Sequence, residues 1–312
     1  VRYGTMREAV LSLKAVLPNG EIVTTGHRAR KSAAGYDLTR LMIGAEGTLG
    51  VITEMTLRLQ GIPEAVSAAT CSFPSVTNAC QTVIETLQHG IPMARIELLD
   101  AQTVRAVNGY SKLRLPEKPL LLLEFHGSVA GVAEQAEAFG AVARDHGASG
   151  FSWTANAQER RKLWQARHDA YWASHTLRPG CKSMSTDVCV PISALAACVT
   201  QAQEKAAEMG LLAPILGHVG DGNFHVLLPI DSADVAEVAR AESFVGWLND
   251  LAIAHDGTCT GEHGIGQGKA RYLPRELGPE AVAVMRAVKI ALDPQNIMNP
   301  GKIMDLGNAA PF

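Results

Sequence analysis

From residue 66 to residue 292, strand-length apolar runs alternate with helix-length amphipathic segments, and this alternation constrains the fold more than any other feature. The pattern predicts strands near 66–73, 93–99, 119–126, 149–154, 184–190, 212–218 and 224–230. It predicts helices near 75–89, 129–147, 158–175, 193–210, 233–255 and 276–292. Elements of these lengths, interleaved, bury their apolar faces by laying helices on a sheet. Tight turns between some neighbouring strands make that sheet largely antiparallel, so the fold class is α+β. Upstream, residues 8–23 read as a hairpin, with "AVLSLKAVL" as one strand, "PNG" as the turn and "EIV" opening the return. Residues 36–59 combine a glycine-rich loop with a strand alternating at Val51, Thr53, Met55, Leu57 and Leu59. Pro63 and the small residues after it place a domain boundary near residue 62.

The chain has 312 residues, 47% apolar, with a net charge of -3, which is enough for a packed core and argues against a nucleic-acid or polybasic membrane partner. No purely apolar run, Leu120–Leu123 included, is long enough for a transmembrane segment. No repeat or low-complexity segment stands out. None of the six cysteines lies in a C-x-x-C pair, which fits buried or free thiols in a reducing compartment. No signal peptide opens the chain, and Val1 already lies in strand-rich sequence, so a fragment or processed product is expected.

The strongest chemical signal is "ILGHVGDGNFHVLLPI", residues 215–230. Asp221-Gly222 between two apolar runs signals a two-residue type I′ hairpin loop. That turn would set Val219 opposite Phe224 and His218 opposite His225, with Asn223 on the histidine face. Two imidazoles at that spacing can converge on one metal ion. Asp221 then serves as a turn former pointing away from them. Glycine-rich "GTCTGEHGIGQGK", residues 257–269, supplies Glu262 and His263. A His/His/Glu set leaves coordination positions open for water or substrate, and suits Zn²⁺, Mn²⁺ or Fe²⁺.

"GHVGDGNFH", "GTCTGEHGIGQGK" and "LDPQNIMNPGK", in that order, resemble the C-terminal domain of FAD-linked oxidases. "LRPGCKSMSTDVCVPIS", residues 177–193, is most similar to the D-lactate dehydrogenase (cytochrome) branch. "KSAAGYDLTRLMIGAEGTLGVITEMTLRL" resembles the second half of the flavin-binding domain of vanillyl-alcohol oxidase-type flavoproteins. The resemblance implies that residues 1–62 are the C-terminal part of an FAD-binding domain and 63–312 the substrate or cap domain with the metal site. It implies oxidation of a D-2-hydroxy acid, D-lactate favoured, to the 2-oxo acid. Electrons would pass to cytochrome c, a quinone or an electron-transfer flavoprotein. FAD and a divalent metal, Zn²⁺ or Mn²⁺ favoured, would be the cofactors. By the same resemblance His218, His225 and Glu262 bind the metal, and His263 is the general base. Arg167 holds the substrate carboxylate, and Asn223 helps place metal or substrate. Gly44, Glu46, Gly47, Thr48, Gly50 and Ile52 line the FAD. Lys182 is a weaker candidate, and the aromatics of "YWASH", residues 171–175, would be core or pocket wall.

The loop that holds the FAD pyrophosphate in such proteins has no counterpart in this sequence, so the chain alone is expected to bind FAD weakly or not at all. Alternative readings are a D-2-hydroxyglutarate dehydrogenase, a glycolate oxidase subunit, a metal-dependent hydrolase on His218, His225 and Glu262, and a non-catalytic fragment. The family occurs in bacterial cytoplasm, peripheral to the inner membrane and in mitochondria. A homodimer is among the assemblies allowed.

Overall fold

The computed structural model describes residues 1–306. Residues Tyr3–Gly61 and 262–306 form the smaller of two compact units, while Val1–Arg2 and Ile62–Gly261 form the larger. The sequence reading keeps everything after residue 62 in one domain. The structure instead returns the segment from Glu262 to the smaller unit.

In the smaller unit, Val10–Val16 (β1), Ile22–Thr24 (β2) and Val51–Leu57 (β3) form an antiparallel sheet in the order β2-β1-β3. The Pro18-Asn19-Gly20 turn closes as expected, with Gly20 in the left-handed region and its N–H donating to the Leu17 carbonyl. Short helices Met6–Ala9 (α1) and Leu38–Met42 (α2) flank the sheet. Val10, Leu13, Ala15, Met42 and Leu49 form its core.

The larger unit is built on one antiparallel sheet. Its strands are Ala65–Ser72 (β4), Met93–Leu99 (β5), Leu120–Gly127 (β6), Ser149–Thr154 (β7), Lys182–Ser185 (β8), Val188–Cys189 (β9), Ile215–Gly217 (β10) and Asn223–Ile230 (β11). They run β7-β4-β6-β5-β10-β11-β8, and β9 also pairs with β11. Six helices cover the sheet: Val76–Gln88 (α3), Ala101–Ser111 (α4), Val129–Asp145 (α5), Ala157–Thr176 (α6), Leu195–Glu208 (α7) and Val235–Ala254 (α8).

Because successive strand residues point to opposite faces, the sheet sorts its side chains into two cores. Ile96, Leu98, Leu121, Leu123, Phe125, Phe224 and Val226 pack with α3, α5, α7 and α8. Leu99, Leu120, Leu122, Leu216 and Leu227 pack on the other face with α4 and with Trp164, Ala166, Ala170 and Ala173 of α6. Burial on both faces explains why β6 reads as an unbroken "LLLL" rather than an alternating strand. Helix α4 was not anticipated. Its signal lies in the cap: the Asp100 side chain accepts from the Thr103 N–H. The strand expected over 184–190 breaks at Thr186 and Asp187, which are buried between β8 and β9.

The chain from Glu262 adds Leu273–Leu277 (α9) and Pro279–Leu292 (α10) to the smaller unit. Val288 and Leu292 pack on the Val10–Leu49 core. Between them, buried Lys289 donates to the carbonyls of Thr48 (2.8 Å) and Met298 (2.9 Å) and to the Asp293 carboxylate. An ammonium taken from water must have its donors satisfied. That requirement ties α10 to the 44–50 loop, which is why this segment leaves the larger unit.

Candidate functional site

The α6-facing side of the large sheet is apolar at one end and polar at the other. Leu99 occupies that face of β5, and stepping back by two gives Glu97 and Arg95. Glu97 is only 6% exposed, and a carboxylate at that depth needs donors. It has two. Arg167, on α6, donates its Nε to Glu97 Oε2 at 2.9 Å, and His218 Nδ1 meets Oε1 at 2.7 Å. The three side chains line a cleft of about 350 Å³ together with Trp164 and His168. Arg167 uses only Nε on Glu97, so Nη1 and Nη2 remain as a fork suited to a carboxylate. Sequence reasoning missed Glu97. The available signal was an acidic residue inside the otherwise apolar "RIELLD" of a buried strand.

The hairpin differs from expectation. Leu216, not His218, lies opposite His225, and the connection runs from His218 to Gly222 through a 3₁₀ turn at Val219–Asp221. A type I′ turn needs positive φ at both central residues, and only Gly222 adopts it (φ 80°). Packing selects this path. A Cβ on Gly220 would lie 2.2 Å from Ile96 Cγ2, and one on Gly222 would lie 2.1 Å from the Val190 carbonyl oxygen. Gly217 pairs with Leu98 of β5, so the strand ends on β5 and delivers His218 to Glu97. The register moves by two residues, an even number. The two imidazoles therefore stay near one another, with ring centroids 6.1 Å apart and planes at 88°. Asp221 lies in the turn with its carboxylate half-exposed, as a turn former does.

His225 is buried, and its Nδ1 lies 3.0 Å from the Thr186 carbonyl oxygen. A carbonyl only accepts, so Nδ1 carries a proton and Nε2 is the nitrogen that would serve as a ligand. The same argument at Glu97 gives His218 the same tautomer. Histidines held through one nitrogen by an oxygen acceptor are those prepared to ligate metal through the other. Asn223 is a buried clamp. Its Nδ2 donates to Asp187 Oδ1 (2.9 Å) and to the Val188 carbonyl (3.0 Å), and its Oδ1 has no hydrogen-bond partner. Asp187, which sequence reasoning also passed over, further accepts from Thr260 Oγ1 at 2.9 Å. Its Oδ1 lies 3.8 Å from His225 Nδ1. Two imidazoles, each held through Nδ1 by an oxygen acceptor, are ligand types that fit a divalent cation such as Zn²⁺ or Mn²⁺. Lys182, exposed at the start of β8, pairs through its backbone with Ile230. Trp172, in the "YWASH" segment, is 62% exposed rather than core.

In the smaller unit the flavin candidates divide by role. The Glu46 carboxylate is already engaged, accepting the N–H groups of Ile265 (2.7 Å) and Gly266 (2.8 Å). It thereby fixes the loop that opens with Glu262 and His263, whose side chains approach to 3.6 Å and are about half exposed. Thr48 is buried, with its hydroxyl on the Ala45 carbonyl (2.7 Å). Gly50 is required by packing, since a Cβ there would meet the Val16 oxygen at 2.8 Å. Gly44, Gly47 and Ile52 are different. Gly44 and Gly47 sit at positive φ, a Cβ on Gly44 would meet nothing, and Ile52 is exposed on β3 beside Val51 and Met55. Backbone at Gly44 and the Ile52 side chain are therefore open to solvent.

An antiparallel sheet covered by helices, with Arg167 and two imidazoles at its polar end, makes this an α+β protein. The model for "FAD linked oxidases, C-terminal domain" matches residues 62–303, and the chain belongs to that family. It is 51% identical over 309 residues to a "Probable D-lactate dehydrogenase, mitochondrial" of Danio rerio, covering 98% of this chain and 62% of the relative. It is 47% identical to the "D-lactate dehydrogenase [cytochrome], mitochondrial" of Arabidopsis thaliana, covering 97% and 54%. With the "Glycolate oxidase subunit GlcD" of Bacillus subtilis it shares 36%, covering 97% and 64%. The chain thus spans roughly half to two thirds of the length of these relatives. Among solved structures, p-cresol methylhydroxylase with substrate bound superposes with a TM-score of 0.75 at 18% identity, covering 99% of this chain and 68% of that one. The 4-ethylphenol oxidase from Gulosibacter chungangensis does so with a TM-score of 0.72 at 16%, covering 96% and 66%. These two show the fold.

Proposed function

We propose that this chain is the larger part of an FAD-dependent dehydrogenase that oxidises a D-2-hydroxy acid, D-lactate favoured, to the 2-oxo acid. The carrying observation is Arg167 held at a cleft by buried Glu97, which also holds His218. That arrangement suits a small substrate with a carboxylate and an adjacent hydroxyl. The names of the D-lactate dehydrogenase relatives supply the substrate preference.

Each residue's part follows from its chemistry. Arg167 binds the substrate carboxylate and orients the α-carbon. Glu97 keeps Arg167 and His218 in place, and Asn223 with Asp187 does the same for the strand end carrying His225. His218, His225 and Glu262 are proposed to hold a divalent metal, Zn²⁺ or Mn²⁺, which when bound lowers the pKa of the substrate hydroxyl. His263 takes the hydroxyl proton. FAD, which Gly44, Gly47 and Ile52 would help to hold, would supply the hydride acceptor. Electrons then pass to a carrier, and relatives named as cytochrome-type support cytochrome c. Relatives named as mitochondrial support that location in a eukaryotic parent. No helix among the described residues is long and apolar enough to cross a membrane.

The GlcD relatives favour glycolate as second substrate. The hydrolase reading finds no support in a family of FAD-linked oxidases. The test is dye reduction by the full-length parent protein with FAD and Mn²⁺ or Zn²⁺, using D-lactate and, as control, L-lactate. Stereospecific, chelator-sensitive reduction is expected. No reduction with FAD and metal bound would remove lactate and move the assay to glycolate and 2-hydroxyglutarate.

A further inference from the structure

The first turns of α6 carry chemistry that the lactate reading does not use. Arg160, Arg161, Trp164 and His168 recur at helical spacing and so share one face. They line a second cleft, of about 430 Å³, beside the one that holds Arg167. Arg95 of β5 completes the wall. Its guanidinium lies over the Trp164 ring at 4.8 Å and pairs with Glu124 at 3.6 Å. Glu124 also meets His126 at 2.9 Å, so the acid of this cleft is already committed. Arg160 and Arg161 are left in excess.

Two donors here lack acceptors. Trp164 is 9% exposed, and its indole Nε1–H is buried with no hydrogen-bond partner. Arg160 Nε is likewise buried and unpartnered. Native proteins pair nearly all such groups. A tryptophan N–H and an arginine N–H only donate, so what completes them must be an acceptor. The excess arginine charge and the nearby N-terminus of a 20-residue helix both select a negative one.

The geometry points to a second anion-binding site, formed by Arg160, Arg161, Arg95 and the Trp164 N–H, that takes the carboxylate or phosphate group of a small molecule. The two clefts share Arg95, Trp164 and His168. The anion is therefore either the far end of a longer acid whose first carboxylate sits on Arg167, or a separate molecule. The site does not depend on lactate oxidation, and binding alone tests it.

The experiment is calorimetric titration of the full chain with inorganic phosphate and with glutarate, a dicarboxylate lacking the reactive hydroxyl. Arg160→Gln, Trp164→Phe and Arg167→Gln are the variants. Saturable, salt-sensitive binding is expected, weakened at least tenfold by Arg160→Gln and by Trp164→Phe, which keeps the ring and removes the donor. Glutarate affinity that also falls in Arg167→Gln would assign the site to the far end of one molecule. Binding indifferent to Arg167→Gln would assign it to a separate anion. Absence of saturable binding of both probes would overturn the proposal, as would wild-type affinity in Arg160→Gln. The half-exposed Arg160 keeps the test decisive even where Trp164→Phe fails to fold.

Discussion

His218 and His225 are seven residues apart and present similar rings to the same region, yet the protein holds them by different means. His225 is on β11, one strand in from the sheet edge, buried, and oriented by the backbone carbonyl of Thr186. His218 is on a loop, 40% exposed at its side chain, and oriented by the Glu97 side chain. Backbone support comes with the fold itself and cannot be mutated away. Side-chain support is separable: the residue two positions before Leu99 on a different strand decides whether His218 points correctly. The difference also assigns consequences, because Glu97 links His218 to Arg167 and Thr186 links His225 only to the strand.

The sharpest way to break the comparison is His225→Ala in the full-length parent enzyme. Turnover should fall by at least about 1,000-fold and bound metal, measured by atomic absorption, should fall with it. Retained metal would remove His225 from the ligand set. Glu97→Gln should cost about 10–100-fold in kcat/KM, through a misplaced His218 and a loosened Arg167. A loss no larger than that of Arg167→Lys alone would show that Glu97 serves only the arginine. Arg167→Lys keeps charge but loses the fork, so KM should rise about tenfold with metal content unchanged.

A second buried carboxylate on the same chain segment sharpens the contrast further. Asp100 ends the strand that carries Glu97, but its Oδ2 has no partner, and burial pushes its pKa up to about 6. A carboxyl that is more basic folded than unfolded destabilises the native state wherever it is ionised. That penalty is fully present above pH 6, shrinks as pH falls toward the unfolded value near 4, and is then gone. Asp100→Asn keeps the helix cap and should stabilise the protein by about 2–3 kcal/mol at pH 7.5, and by much less at pH 4.5, in urea denaturation. Equal gains at both pH values would mean that Asp100 has the same pKa folded and unfolded. Thr186→Val should cost only about 1 kcal/mol, since it removes the hydroxyl that accepts the Val226 N–H but leaves the carbonyl on His225. Activity should survive, and its loss would place the hydroxyl in the site.

Most of the architecture, and the histidines, Arg167 and Asn223 of the candidate site, were legible in the linear sequence, while Glu97 and Asp187 were not. Apolar periodicity located β4, β5, β6 and β7 and the helices α3 and α5 between them, though not α4, because those elements bury one face or both. Glycines, histidines and the Glu-His pair marked the loops. What escaped was how these residues are held. The parity of the His218–Gly222 connection was readable, but its register was not. Whether Asp221-Gly222 makes a two-residue turn depends on Ile96 and Val190, which are 124 and 32 residues distant from Gly220 and Gly222. Glu97 looked like one charge in a strand until α6 placed Arg167 against it. Nor could the sequence show that the Glu46 carboxylate accepts the backbone N–H groups of Ile265 and Gly266. Local sequence determines which residues can turn, ligate or ionise, because backbone preference and side-chain chemistry belong to each residue. Only the tertiary structure decided which of them face one another, because burying a charge or fitting a glycine beside a carbonyl is a property of the pair.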